Sequence, residues 1–93
     1  MIYPIATVYG ENNLEITASK PEKDGSIIVN IEKWNSAVND FSNLQIKLPA
    51  KQIISNKYFT ETEINTILAK IYPLSNEILE YVFDINRGEY NNA

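Results

Sequence analysis

Apolar and polar residues alternate through several short stretches in the first half of the chain, then give way to three- and four-residue spacings in the second half. The clearest alternation runs from Ser26 to Trp34, with Ile27, Val29, Ile31 and Lys33 on one side and Ile28, Asn30, Glu32 and Trp34 on the other. A period of two is the period of a strand. One face of this strand is apolar until Lys33, while the other mixes Ile28 and Trp34 with polar groups and is expected to be only partly covered. Leu44-Gln45-Ile46-Lys47-Leu48 alternates as cleanly, and Pro49, which has no amide hydrogen to donate, argues against continuing it as a regular central strand. Leu14-Glu15-Ile16-Thr17-Ala18 sets Leu14, Ile16 and Ala18 on one face of a further short strand. Ile2 to Tyr9 is rich in β-branched and aromatic residues and pairs naturally with it through the polar turn Gly10-Glu11-Asn12-Asn13. Pro4 confines that first strand to an edge or to an irregular start. Between the second and third strands, Pro21 and Asp24-Gly25 mark a turn.

Two stretches carry weaker patterns. Asn35 to Asn43 shows no repeat and reads as a loop or one short turn. Residues 49–59 are ambiguous: Ala50, Ile53 and Ile54 suit a brief helical turn, which Ser55, Asn56 and the β-branched residues weaken.

At Thr60 the period changes. Thr60-Glu61-Thr62-Glu63 has the form of a capping box, with Phe59 and Ile64 at the spacing of a hydrophobic staple, and Ile64, Ile67, Leu68 and Ile71 follow as a helical stripe ending near Tyr72-Pro73. A second helix is expected from Ser75 as its cap, with Leu74 and Leu79 as its staple, Glu77 in its first turn, and Arg87 and Gly88 at its end. The pattern therefore predicts an α+β fold: a small antiparallel sheet of three or four strands followed by a C-terminal helical hairpin. It forms a single compact domain over residues 1–93, with 89–93 as a frayed tail.

Composition narrows the chemistry. With 44% hydrophobic and 22% charged residues, the 93-residue chain is too apolar for general disorder and large enough for one core. It has no histidine and no cysteine, which removes disulfides, thiolate nucleophiles and imidazole bases together. Its three glycines, Gly10, Gly25 and Gly88, form no phosphate cradle, and no complete set of metal ligands is spaced along the chain. No enzyme activity, cofactor or metal is expected. The start Met1-Ile2-Tyr3-Pro4 lacks the features of a secretory signal and no stretch approaches about 18 apolar residues, so a cytoplasmic location without membrane contact is expected.

Location makes the net charge of −4 informative. Residues 1–60 hold six bases and six acids; residues 61–93 hold Lys70 and Arg87 against Glu61, Glu63, Glu77, Glu80, Asp84 and Glu89. Steps of three and four place Glu77, Glu80 and Asp84 on one helical face. Such a face is in the first instance solvated; it can also meet a partner with a basic surface, and less readily a hard cation. Direct nucleic-acid binding is not expected, because the second helix is acidic and Lys47, Lys51 and Lys57 form only a sparse basic interval.

Aromatic residues supply the other binding candidates. Trp34, Phe41 and Phe59 are each explained first by core packing, and together with Tyr58 alternatively by an exposed anchoring patch. Tyr81 accompanies the acidic positions on the second helix. The expectation is a small non-catalytic protein-binding regulator or inhibitor, with Glu77, Glu80, Asp84, Trp34, Phe41 and Tyr81 as partner-binding residues and an unidentified protein as partner. A homodimer through the first strand's edge or through Ile78 to Ile85 is a competing arrangement. A structural or assembly subunit is the alternative function. The asparagine- and isoleucine-rich composition suits a bacterial or phage genome, of which a phage inhibitor or a toxin-neutralising protein would be concrete cases.

Overall fold

The computed structural model describes the backbone of residues 2–8 and 14–91 and the side chains of residues 14–85. Five strands are followed by two helices: β1 (Ile2–Val8), β2 (Leu14–Ser19), β3 (Ile27–Asn35), β4 (Asp40–Leu48), β5 (Gln52–Lys57), α1 (Glu61–Ile71) and α2 (Ser75–Asn91). The strands form one antiparallel meander in the order β1-β2-β3-β4-β5. The expected architecture, an antiparallel sheet followed by a hairpin-like pair of helices, is the one observed. Tyr9 and the turn over residues 10–13 lie outside the described residues.

Strand parity builds the core. Leu14, Ile16 and Ala18 on β2, Ile27, Val29 and Ile31 on β3, and Leu44, Ile46 and Leu48 on β4 are all buried on one face of the sheet. Phe59, Ile67, Ile71, Ile78 and Val82 cover them from the helical side, forming a single cluster with the sheet residues. Burying large aliphatic side chains contributes roughly 1.5–3 kcal/mol each. The opposite sheet face has no layer over it among the described residues.

Two segments of the sheet depart from the sequence pattern. Asn35 to Asn43 is not a loop: β3 and β4 pair as far as Asn35 and Asp40, leaving only residues 36–39 as the turn. Asn35 carries that turn, its carbonyl accepting from the Val38 amide at 3.3 Å and its side chain from the Ala37 amide at 3.1 Å, while Asn39 takes a left-handed φ of 52°. Residues 49–59 contain strand β5 and no helical turn. Lys51, at φ 58°, reverses the chain after Pro49 and returns it alongside β4. All six β5 residues are exposed, so no burial period was available to mark the strand.

The start of α1 follows its sequence signature. The Thr60 hydroxyl accepts from the Glu63 amide at 3.2 Å, and the Glu63 carboxylate accepts from the Thr60 amide at 3.1 Å. The start of α2 does not. Tyr72–Leu74 forms a 3-10 turn, and Ser75 already has helical dihedrals, its hydroxyl donating back to the Tyr72 carbonyl at 2.7 Å. Ser75 is thus not a cap, and Leu74 is exposed and staples nothing. Pro73 explains the bend, since it lacks an amide hydrogen and its ring crowds the carbonyl four residues back. At the far end, the backbone stays helical through Gly88 to Asn91, so the glycine does not terminate α2.

Candidate functional site

The uncovered sheet face offers the most developed surface chemistry. Its residues follow from parity: Glu15 and Thr17 on β2, Ile28, Asn30, Glu32 and Trp34 on β3, and Phe41, Asn43, Gln45 and Lys47 on β4. Trp34 and Phe41 are register partners, and their rings meet edge to face with centroids 5.1 Å apart at 78°. Both are about half exposed, at 50% and 48%. Core packing is therefore not their role, whereas Phe59, 5% exposed, does belong to the core.

A side-chain amide network lies next to the aromatic pair. Asn30 Oδ1 accepts from Asn43 Nδ2 at 2.7 Å and from Gln45 Nε2 at 3.4 Å, while Asn30 Nδ2 donates to Glu32 Oε1 at 3.0 Å. Ser55 Oγ donates to Gln45 Oε1 at 3.2 Å, carrying the network to β5. These bonds hold the amides in fixed orientations across three strands, as preorganised recognition requires.

Two lysine–aspartate pairs sit at the margins. Lys57 donates to Asp40 at 2.8 Å, which holds the Asp40 carboxyl below the ordinary range and raises the Lys57 ammonium above its own. Lys47 lies 3.5 Å from Asp24, whose carboxyl is lowered chiefly by hydrogen bonds from the Ser26 hydroxyl and amide. Both pairs are exposed and add little stability. What they do is occupy the two lysines of this part of the molecule.

The remaining candidates lie elsewhere. Glu77, Glu80, Tyr81 and Asp84 are exposed on α2, as their spacing predicted, and Tyr81 shares the helix with the acids. Ile78 and Val82 hold α2 against the buried face, so the sheet separates its acids from Trp34 and Phe41. The acidic helical face and those two aromatics do not form the single surface expected of them.

A cavity of about 110 Å³ lies between the sheet and α1, with Leu14, Lys33, Phe59, Glu63 and Ile67 among its lining residues. It falls below the roughly 300–1,000 Å³ of small-molecule sites. No group of three or more metal-ligating side chains occurs among the described residues. Every buried side-chain polar atom among them has a hydrogen-bond partner. No helix among them is long and apolar enough to cross a membrane.

No protein-family model, curated protein or solved structure matches this chain. Function must accordingly be read from its own surfaces. Sequence reasoning missed Glu15, Asn30, Glu32, Asn43 and Gln45. The signal for four of them was present: Asn30 and Glu32 share parity with Trp34 on β3, and Asn43 and Gln45 share it with Phe41 on β4.

Proposed function

We propose that this chain is a non-catalytic protein-binding module, acting as a regulator or inhibitor, and that it engages its partner through the open sheet face around Trp34 and Phe41. The observation carrying this reading is the half-exposed Trp34–Phe41 pair beside the ordered Asn30–Asn43–Gln45 network. Exposed tryptophan dominates binding energy when a partner desolvates it, and fixed amides around it give register without a large ordering cost. The reading replaces the α2 acids as the principal contact and keeps an unidentified protein as the partner.

An assembly role is the second reading, favoured by β5. This strand is the edge of the sheet among the described residues and exposes Ile53 and Ile54, at 42% and 48%. Such an edge can join a neighbouring sheet in a larger complex.

Cross-linked capture followed by reconstitution tests both readings. The Trp34→Ala/Phe41→Ala double variant should lose the partner while a charge-reversed Glu77/Glu80/Asp84 variant keeps it, each with unchanged circular dichroism. Retention by the aromatic variant would rule the open face out. Inhibition of the recovered partner separates regulation from assembly without loss of activity.

A further inference from the structure

We infer that the open sheet face receives a basic segment of the partner protein, with an arginine side chain seated between Glu15 and Glu32 and its guanidinium against the Trp34 ring. The inference rests on the protein-binding reading above and specifies the partner's chemistry.

Register supplies the first reason. Glu15 and Glu32 are direct register partners on β2 and β3, which sets two acidic side chains side by side on the open face. Like charges placed so are destabilising unless a cation intervenes. Asn30 donates to one Glu32 oxygen, which orients that carboxylate without neutralising it.

Among the described side chains, no cation meets this need. Lys47 and Lys57 are engaged by Asp24 and Asp40, and Lys33 faces the helical side, 3.7 Å from Glu63. Lys51 lies over the Tyr72 ring in the β4–β5 turn, and Lys70 belongs to α1, on the opposite side of the sheet. Lys20 and Lys23 follow the distant end of β2, about 17 Å or more along the strand from Glu15. Residues 1–13 contain neither lysine nor arginine. A cation supplied by a partner would therefore meet two neighbouring acidic side chains that no described basic side chain engages.

Geometry selects the kind of cation. Trp34 follows Glu32 by two positions on the same face, a separation of about 7 Å. A planar guanidinium can stack on an indole while donating to a carboxylate, whereas an ammonium is a compact point charge. A hollow of about 220 Å³ bounded by Glu15, Thr17, Asn30 and Glu32 gives such a side chain a place to enter. Nucleic acids and anionic lipid surfaces carry the wrong charge for it. A neutral glycan would stack on Trp34 but leave the two carboxylates uncompensated.

Titration of the isotope-labelled full chain, followed by amide and indole resonances, tests the inference. The probe is a blocked eight-residue peptide of alternating arginine and serine, compared with the same peptide carrying neutral citrulline in place of arginine. Saturable shifts should centre on Glu15, Glu32 and the Trp34 indole. Affinity should fall about tenfold or more with the citrulline peptide and with Glu15→Gln/Glu32→Gln, the range expected for losing hydrogen bonds to a charged group. A Glu77→Gln/Glu80→Gln/Asp84→Asn variant should bind as the parent does. Absence of saturable shifts, shifts centred on α2, equal response to the citrulline peptide, or a response to a neutral oligosaccharide alone would each overturn it. If the arginine peptide fails while Trp34→Ala/Phe41→Ala still abolishes partner capture, the basic segment is wrong and the open face stands.

Discussion

Trp34 on β3 and Phe41 on β4 stand directly opposite one another and meet edge to face at 5.1 Å, on the side of the sheet that the helices leave open. Their contact is with each other more than with the core. Such a pair is worth about 0.5–1.5 kcal/mol, against about 3–5 kcal/mol for truncating a buried aromatic. Trp34→Ala should therefore lower stability by about 1–2 kcal/mol in urea unfolding; a loss above about 3 kcal/mol would place the indole in the core.

The two faces of the β4–β5 pair should respond differently to the same change. Ile46 is fully buried, and Ile46→Ala is expected to cost about 2–5 kcal/mol through lost contacts and a residual cavity. Ile54 is nearly half exposed, and Ile54→Ala should stay within about 0.5 kcal/mol. Equilibrium denaturation of both variants checks the contrast.

The capping box gives α1 a pH signature. The Glu63 carboxyl is held below its ordinary value, first by the hydrogen bond from the Thr60 amide and further by the neighbouring Lys33. A depressed folded-state pKa contributes stability that is fully present above the unfolded glutamate range and is lost as pH falls through the lowered value. Glu63→Gln should flatten that part of the acid limb, as measured by thermal unfolding from pH 7 to pH 3. Thr60→Ala should cost about 1 kcal/mol at neutral pH.

Gly25 closes the β2–β3 turn at φ 85°, where its amide donates to the Glu22 carbonyl at 3.0 Å. A Cβ there would meet nothing within 4 Å, so backbone strain alone opposes substitution. Gly25→Ala should destabilise by about 1–2 kcal/mol. Chemically synthesised protein with D-alanine at position 25 should show no such loss, and equal melting of the two epimers would disprove the strain account.

Legibility in the sequence followed burial. β2, β3 and the second half of β4 were visible because each alternates between a covered and an open face. The α1 cap was visible because it is local chemistry among four residues, Thr60 to Glu63. β5 was hidden because an edge strand exposed throughout needs no alternation; only the neighbouring β4 and the reversal at Lys51 define it. The start of β4 was hidden for a related reason, since Asp40 to Asn43 is polar at three of its four positions and is held by register with β3. The Ser75 cap failed because Pro73 bends the helical backbone without ending it.

The open face divides between the two levels in the same way. Parity within β3, set by the geometry of a single strand, already placed Asn30, Glu32 and Trp34 together on a face that the alternation marked as partly covered. So did the spacing that put Glu77, Glu80 and Asp84 on one side of a helix. Tertiary structure decided which residue of another strand stands beside each of these. It set Phe41 against Trp34 and Glu15 against Glu32, and it put the helical acids on the far side of the sheet. Neighbours across strands depend on register, and register depends on turn lengths and on which apolar face the helices cover.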